Sequence, residues 1–162
     1  MQRLWAPWRI EYIKGPKEKG CFFCKYSREH DDRKNLILHR GKYAFVMMNF
    51  YPYNNGHLMI APYRHTAELD DLDDDTKLEM MNYIGHCQRA LSKYLTAQGF
   101  NIGINIGCVA GAGVEDHLHI HIVPRWNGDT NFMPVSGHTK VISQGLEDTW
   151  LTLRQYFENI DL

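Results

Sequence analysis

The stretch Asp116-His117-Leu118-His119-Ile120-His121-Ile122-Val123-Pro124 places three histidines at alternate positions, separated by single apolar residues. Successive side chains of a β-strand point to opposite faces, so the spacing predicts a strand with all three imidazoles on one face. The intervening apolar residues then enter the core and fix the register. Exposed histidines could merely decorate a sheet surface, and a metal site is a further alternative, but regular alternation of an uncommon residue favours a functional site.

A run of small residues, Gly107-Cys108-Val109-Ala110-Gly111-Ala112-Gly113, lies directly upstream of this strand. Main-chain N–H groups in such a loop can approach phosphate oxygens without interference from side chains, which makes Gly111 and Gly113 candidate phosphate-binding residues. A neutral imidazole is a competent nucleophile near pH 7, and a covalent histidine intermediate divides one difficult displacement into two easier ones. The two features together predict an enzyme that breaks bonds at phosphorus.

The composition is that of one globular domain. The chain has 162 residues, is 44% hydrophobic and carries 18 Lys and Arg against 19 Asp and Glu. Nearly balanced charge argues against a nucleic-acid partner, while a small phosphorylated ligand remains compatible. The first ten residues lack the apolar run of a signal peptide, and no later stretch is long and apolar enough to span a membrane. We therefore expect a cytoplasmic protein without a membrane partner.

Regular structure is predicted on both sides of a long helix. The acidic run 69–75 precedes apolar residues at helical spacing, which predicts a helix over 73–97 that ends before Gly99. The apolar positions are Leu78, Met81, Ile84, Leu91 and Leu95. Before this helix, 36–39, 43–49 and 57–61 resemble strands joined by turns at Gly41 and 52–56.

The second half of the chain adds a strand and a helix. Residues 100–106 alternate isoleucine or phenylalanine with asparagine or glycine, which predicts a half-buried strand that carries Asn105 on its polar face. Residues 146–160 have apolar residues at helical spacing and predict a C-terminal amphipathic helix. Strands gathered around helices make the predicted fold α+β.

Cys21 and Cys24 have the two-residue gap that lets both thiolates bind one tetrahedral zinc ion at about 2.3 Å. In the cytoplasm a close cysteine pair more often binds metal or does redox work than forms a structural disulfide. A redox pair or simple burial remain as alternatives, although a thioredoxin-like βαβ context is missing. Cys87 and Cys108 are each predicted to be small buried hydrophobes without a chemical role.

These motifs resemble the histidine triad (HIT) family. The resemblance covers most of the chain and includes Asn49 eight residues ahead of His57, the segment 55–62, Asn105, and the triad strand with Pro124-Arg125. It implies one HIT domain over 1–162 with an antiparallel sheet of about five strands, a long central helix and a C-terminal helix. The expected segments are an N-terminal arm (1–20), a zinc knuckle with strands (21–65), the helix (73–97), catalytic strands (100–124) and the last helix (146–160).

A finer resemblance points to the diadenosine tetraphosphate phosphorylase branch of this family. It is carried by Leu4-Trp5-Ala6-Pro7-Trp8-Arg9 and by Pro124-Arg125-Trp126-Asn127-Gly128-Asp129-Thr130-Asn131-Phe132-Met133. The implied reaction is phosphorolysis of diadenosine tetraphosphate to ATP and ADP through a nucleotidyl-histidine. The implied catalytic residues are His119, His121 and His57.

The resemblance also distributes roles within the site. His119 would attack the α-phosphorus, His121 and the amide of Asn105 would hold phosphate oxygens, Asn49 would face the ribose, and His57 would support the triad. Many members carry Ala-Gly-Gln-Ser/Thr before the triad, whereas this chain reads 110–116 as Ala-Gly-Ala-Gly-Val-Glu-Asp. Phosphate contacts in this loop must then come from the main chain.

Further expectations follow from the same resemblance. Zinc-bearing members complete the site with residues that fall here on His65 and His117, so the implied structural zinc site is Cys21, Cys24, His65 and His117. The implied assembly is at least a homodimer in which two sheets join. Two other functions stay open: a hydrolase of dinucleoside polyphosphates or nucleoside phosphoramidates, and a nucleotide-binding module with incidental activity.

Overall fold

A computed structural model of the chain describes residues 20–129 and 144–160. The N-terminal motif at 4–9 and the part of the post-triad motif from Thr130 onward lie outside these residues, as does nearly all of the N-terminal arm. Within them the helices are α1 (Phe22–Arg28), α2 (Asp74–Leu95) and α3 (Leu146–Phe157). The strands are β1 (Ile37–Arg40), β2 (Ala44–Met48), β3 (Leu58–Pro62), β4 (Gly99–Ile104) and β5 (Ile120–Arg125).

The five strands form one antiparallel sheet in the order β1-β2-β3-β5-β4. The first three strands are a meander, and the chain then crosses through α2 to add β4 and β5. The α+β fold predicted from the sequence is confirmed, and β1 to β4 each lie within two residues of their predicted bounds, whereas β5 begins three residues after His117. β5, which carries the last triad histidine, lies inside the sheet between β3 and β4.

α2 begins where the acidic run predicts. The Asp73 carboxylate caps the helix by accepting a hydrogen bond from the Thr76 N–H at 2.7 Å. Its buried side chains are Thr76, Met80, Tyr83, Cys87, Ala90 and Leu91. The predicted apolar stripe was therefore partly wrong: Leu78 and Met81 are 61% and 62% exposed. The helix has apolar residues on two faces, and the sheet takes the face that includes Tyr83 and the small residues.

The sheet is covered on both faces. On one face α2 and α3 pack over Leu118, Ile120 and Ile122, the apolar residues that alternate with the triad histidines. On the other face Phe23 of α1 packs with a second buried cluster that includes Met59. Because Met59 pairs with His121 across β3 and β5, the histidines lie on this second face. The predicted division between imidazoles and core residues is confirmed.

β4 is an edge strand, and its burial differs from the prediction. Ile102 is 40% exposed and Ile106, which follows the strand, is 49% exposed, although alternation placed both in the core. The long helix packs over β2, β3 and β5, so its cover does not extend fully over the outermost strand. Among the described residues, no helix is both long and apolar enough to cross a membrane.

Candidate active site and metal-binding cluster

The triad does not lie wholly within a strand, contrary to the sequence-based prediction. β5 begins at Ile120, and residues 117–119, with a bend at His117, lie ahead of it. There the Leu118 N–H donates to the Thr66 carbonyl at 2.7 Å instead of joining the ladder. The neighbouring strand β3 ends at Pro62, and a proline cannot donate to a further ladder bond. The three side chains nevertheless keep the alternation of a strand.

His119 is more buried than its neighbour His121. It is 4% exposed, and its ring lies 4.8 Å from the Phe23 ring and 4.7 Å from the His121 ring, measured between centroids. Its Nδ1 lies 2.9 Å from the His117 carbonyl oxygen, which can only accept, so Nδ1 carries the proton. The lone pair is therefore on Nε2. Burial lowers the pKa of His119 and favours this neutral, nucleophilic form.

His57 and His121 form a hydrogen-bonded pair with defined tautomers. The Tyr53 main-chain N–H, an obligatory donor, lies 3.1 Å from His57 Nδ1, so that nitrogen must accept. The proton of the neutral His57 ring is then on Nε2, which donates to His121 Nδ1 at 3.0 Å. By the same reasoning the proton of neutral His121 is on Nε2. His119 and His121 thus present opposite chemistry: one has an Nε2 lone pair and the other an Nε2–H donor.

The tight turn before His57 explains how that ring reaches its position. Gly56 has a φ of +71°, a conformation that favours glycine, and a Cβ there would lie 2.6 Å from Leu95 and 2.9 Å from Leu91. The turn therefore packs closely against α2. His57 follows with 0% exposure, and its main-chain carbonyl accepts from the Asn49 N–H at 2.9 Å.

The predicted nucleotide-binding residues surround the histidines to different degrees. The Asn49 amide oxygen accepts from the Tyr51 N–H at 2.8 Å, and its Nδ2 lies 3.4 Å from His57 Nδ1. Asn105 follows β4, in which Ile104 is paired with Ile120. This pair is the last one of the ladder, so Asn105 directly follows the end of β4 while His119 directly precedes the start of β5.

The loop that follows Asn105 is open to solvent. Gly111 and Gly113 are exposed, and Gly111 has a φ of +87° with nothing within 4 Å of a Cβ built on it. A ligand could therefore approach the main chain closely at Gly111. Cys108, predicted to be buried, is exposed at the start of a short 3-10 turn in this loop, whereas Cys87 is buried as predicted.

The four predicted metal ligands come together in the structure. One donor atom from each of Cys21, Cys24, His65 and His117 lies within 4.8 Å of all the others. His117 Nδ1 is 3.2 Å from Cys21 Sγ, 3.5 Å from Cys24 Sγ and 3.2 Å from His65 Nδ1. Ligand atoms around a tetrahedral zinc ion are separated by roughly 3.3–3.8 Å, as bond lengths of about 2.0–2.3 Å require. The donor set fits such an ion, and the three distances from His117 Nδ1 are close to this range.

Hydrogen bonds outside this cluster orient its buried histidine. His117 Nε2 lies 2.9 Å from the Pro62 carbonyl oxygen, so Nε2 carries the proton and the Nδ1 lone pair faces the cysteines. Burial lowers the pKa of His117 to about 4 and raises the pKa of the Cys21 thiol to about 11. The imidazole is thus in its ligating form. Cys21 precedes α1 and Cys24 lies in its first turn, so the helix itself sets the spacing of the two thiols.

Sequence reasoning missed several groups that shape the site. Phe23 packs against the rings of both His117 and His119. The Tyr53 N–H and the Pro62 carbonyl fix histidine tautomers, but main-chain groups have no sequence signature. The burial of Phe23 near the site could have been predicted, because this apolar residue lies between the two cysteines.

The chain belongs to the HIT family. The model of the HIT domain matches residues 30–128, which contain every histidine described above and all of the sheet. The matched range also contains two of the four residues of the metal-binding cluster, His65 and His117.

Individual relatives are informative about activity and metal binding. The chain is 39% identical over 157 residues to an AP-4-A phosphorylase of Mycobacterium tuberculosis, covering 92% of this chain and 80% of that protein. It is 31% identical over 93 residues to an asymmetrical bis(5'-nucleosyl)-tetraphosphatase of Schizosaccharomyces pombe, covering 57% and 50%. A Zn-bound histidine triad family protein from Mycobacterium smegmatis superposes with a TM-score of 0.67 at 26% identity, covering 86% and 94%.

Proposed function

We propose that this protein is a nucleotidyltransferase that cleaves diadenosine tetraphosphate by phosphorolysis, releasing ATP and ADP. One observation carries the proposal: Nε2 of His119 has a lone pair, whereas Nε2 of His121 carries a proton and can donate. The centroids of the two rings are 4.7 Å apart. Displacement at phosphorus needs this combination of a nucleophile and a group that stabilises charge on oxygen. The similarity to the mycobacterial phosphorylase supports the choice of substrate.

The reaction proceeds in two displacements. His119 Nε2 attacks an α-phosphorus, the bond from that phosphorus to its bridging oxygen breaks, and ATP leaves with the bridging oxygen. An adenylyl group then remains on His119. Inorganic phosphate attacks the same phosphorus, the P–N bond breaks, and ADP leaves while the lone pair returns to Nε2. Each step is in line, and the catalytic side chain is regenerated.

The surrounding residues bind and orient the nucleotide in this proposal. The Nε2–H of His121 and the amide of Asn105 donate to oxygens of the reacting phosphate, and the main-chain N–H groups of Gly111 and Gly113 bind the adjoining phosphates. Asn49 faces the ribose. The restrained ring of His57 keeps His121 in its donor form.

We further propose that Cys21, Cys24, His65 and His117 hold one structural zinc ion. Four protein ligands leave no open coordination position, so the ion supplies a fixed link between α1 and the triad segment. The donor spacing and the Zn-bound relative support this assignment. We also propose a cytoplasmic location, because thiols are kept reduced there and remain able to bind metal.

The proposed assembly is a homodimer joined through β4. This strand is at an edge of the sheet and presents Ile102 at 40% exposure, and the outer face of α2 presents Leu78 and Met81. Exposed apolar side chains and an edge strand favour association with a second copy. Light scattering after size-exclusion chromatography tests the dimer, and Ile102→Glu is expected to give monomers.

Incubation with diadenosine tetraphosphate, with and without phosphate, tests the function. We expect ATP and ADP in equal amounts only when phosphate is present. ATP and AMP formed without regard to phosphate would instead identify a hydrolase, the activity named for the Schizosaccharomyces pombe relative. Tight nucleotide binding with no products from the tetraphosphate or from an adenosine phosphoramidate would identify a binding module.

A further inference from the structure

Asn54 is a buried polar residue in the turn between β2 and β3, and the mechanism above does not use it. The residue is 7% exposed. Its Nδ2 donates to the Pro124 carbonyl at 2.9 Å and to Asp129 Oδ2 at 3.0 Å. Its own main-chain carbonyl accepts from the His57 N–H at 3.1 Å. Asn54 therefore fastens the turn that precedes His57 to the far end of β5.

Asp129, which accepts from Asn54, is fixed by hydrogen bonds of its own. Asp129 accepts from Arg125 Nε at 2.6 Å and Nη2 at 2.8 Å, while Arg125 Nη1 donates to Asn101 of β4 at 2.8 Å. The Trp126 N–H lies 3.3 Å from the same carboxylate. These hydrogen bonds, Arg125 foremost, hold the pKa of Asp129 well below its usual range. An ionised, bidentate carboxylate is a strong and well-oriented acceptor for the Asn54 amide.

The position of the turn determines the protonation pattern of the histidine pair. Tyr53, the residue before Asn54, provides the N–H that makes His57 Nδ1 an acceptor. His57 Nε2 is consequently the nitrogen that donates to His121. If the turn shifted by a fraction of an ångström, the Tyr53 N–H would lose its alignment, His57 Nδ1 would keep only the longer 3.4 Å contact with Asn49 Nδ2, and the preference for the Nε2–H tautomer would weaken.

We propose that Asn54 and Asp129 are positioning residues of the active site, which keep His57 in its Nε2–H tautomer and thereby keep His121 a donor through Nε2. The proposal rests on the function above, in which that donor faces a phosphate oxygen. Neither residue touches the nucleotide in this scheme. Both act through the turn that contains Tyr53.

If Asn54 had a purely structural role, its hydrogen bonds would affect the stability of the fold but not the tautomer of His57. A matched variant at Asn55 distinguishes the structural role from the positioning role. Asn55 lies in the same turn, but its side-chain oxygen accepts from Thr149 Oγ1 of α3 at 3.2 Å, away from the histidines. Asn54→Ala and Asn55→Ala each remove one turn anchor. Only the first removes an anchor that leads to His57.

The test is long-range ¹H–¹⁵N NMR of the histidine side chains in the full chain, recorded without nucleotide, together with steady-state kinetics. For the wild type and Asn55→Ala we expect His57 with Nδ1 unprotonated and Nε2 protonated. For Asn54→Ala and Asp129→Asn we expect the two ¹⁵N shifts of His57 to move towards each other as the tautomers mix. The value of kcat should fall by at least about tenfold, with a much smaller change in KM.

Folded Asn54→Ala and Asp129→Asn proteins with wild-type His57 shifts would overturn the proposal. Asp129→Asn preserves the shape of the side chain, so it provides the answer should Asn54→Ala not fold. The spectra do not depend on the substrate. If the variants show mixed tautomers but the wild type does not cleave diadenosine tetraphosphate, the positioning role is supported and the proposed reaction is refuted. If the variants show unchanged tautomers and the wild type is an active phosphorylase, the proposed reaction is supported and the positioning role is refuted.

Discussion

His119 donates from Nδ1 to the main-chain carbonyl oxygen of His117 at 2.9 Å, two residues earlier in the chain. The imidazole of His117 meanwhile faces Cys21 and Cys24 through Nδ1 and the Pro62 carbonyl through Nε2. One residue thus contributes its side chain to the metal-binding cluster and its main chain to the candidate nucleophile. The orientation of the candidate nucleophile therefore depends on the position of His117 in the cluster.

Replacing the candidate nucleophile provides the most direct test of the mechanism. His119→Ala removes the only side chain that presents an Nε2 lone pair in the proposed scheme, so turnover of diadenosine tetraphosphate should fall by roughly 10³-fold or more. Separation of ATP, ADP and AMP by ion-exchange chromatography measures this rate. His86→Ala, on α2 and outside the site, should retain wild-type turnover. Full activity in the His119 variant would refute the covalent mechanism.

His121 should affect a different part of the reaction. His121→Ala removes an Nε2–H donor to the reacting phosphate and should lower the rate of adenylyl transfer by roughly 10²–10³-fold, the usual effect of losing one preorganised donor. Rapid-quench measurement of the first turnover, with substrate labelled in the α-phosphate, reports this step. The variant should still form the adenylyl-enzyme slowly, whereas His119→Ala should form none. A labelled protein obtained from the His119 variant would contradict this division of roles.

The metal-binding cluster predicts zinc content and thermal stability. Wild-type protein purified without added metal should contain about one zinc ion per chain, and Cys24→Ser should contain much less and unfold at a lower temperature. Elemental analysis and calorimetry measure the two effects. Cys108→Ser, an exposed cysteine in the glycine-rich loop, is the matched control and should change neither. Wild-type zinc content in Cys24→Ser would exclude this cysteine as a ligand.

Much of the fold could be predicted because local rules and tertiary packing agree there. Alternation around His119 assigned Leu118 and Ile120 to the core correctly, since the pattern has only two faces to choose from. The start of α2 followed from its aspartate cap. The buried face of α2 was partly misassigned because Leu78 and Met81 are apolar yet face outward. Periodicity cannot say which of two apolar faces a sheet will cover.

The candidate site was predictable as a set of side chains but not as a set of protonation states. Spacing and family resemblance identified His57, His119 and His121, and the structure brings the three rings together. Their tautomers depend on the Tyr53 N–H and the His117 carbonyl. Any residue supplies those groups, so only the three-dimensional path of the main chain reveals them.

The turn before His57 should not tolerate a larger residue in place of Gly56. Gly56→Ala adds both a strained φ and a Cβ that meets Leu91 and Leu95, whereas Gly111→Ala adds the strained φ with open space around it. We expect the Gly56 variant to lose roughly 1–3 kcal/mol more free energy of unfolding than the Gly111 variant, because overpacking is added to backbone strain. Urea denaturation measures both. Equal losses would mean that the leucine side chains move aside freely.

The ion pair at the end of β5 predicts a pH-dependent contribution to stability. The pKa of Asp129 is lowered in the folded state by Arg125, so its stabilisation is complete above the unfolded pKa of about 3.9 and is lost as pH falls towards the lower folded value. The stability difference between wild type and Asp129→Asn should therefore be constant from pH 7 to about pH 5 and shrink below about pH 4.

The pair Arg154 and Glu158 has the same four-residue spacing, but the Glu158 side chain is 56% exposed against 9% for Asp129. Glu158→Gln should consequently cost much less, because solvent screens an exposed pair. Urea denaturation of the three proteins at several pH values makes the comparison. A Glu158 variant that lost as much stability as the Asp129 variant would show that burial and the additional donors at Asp129 add nothing to its ion pair.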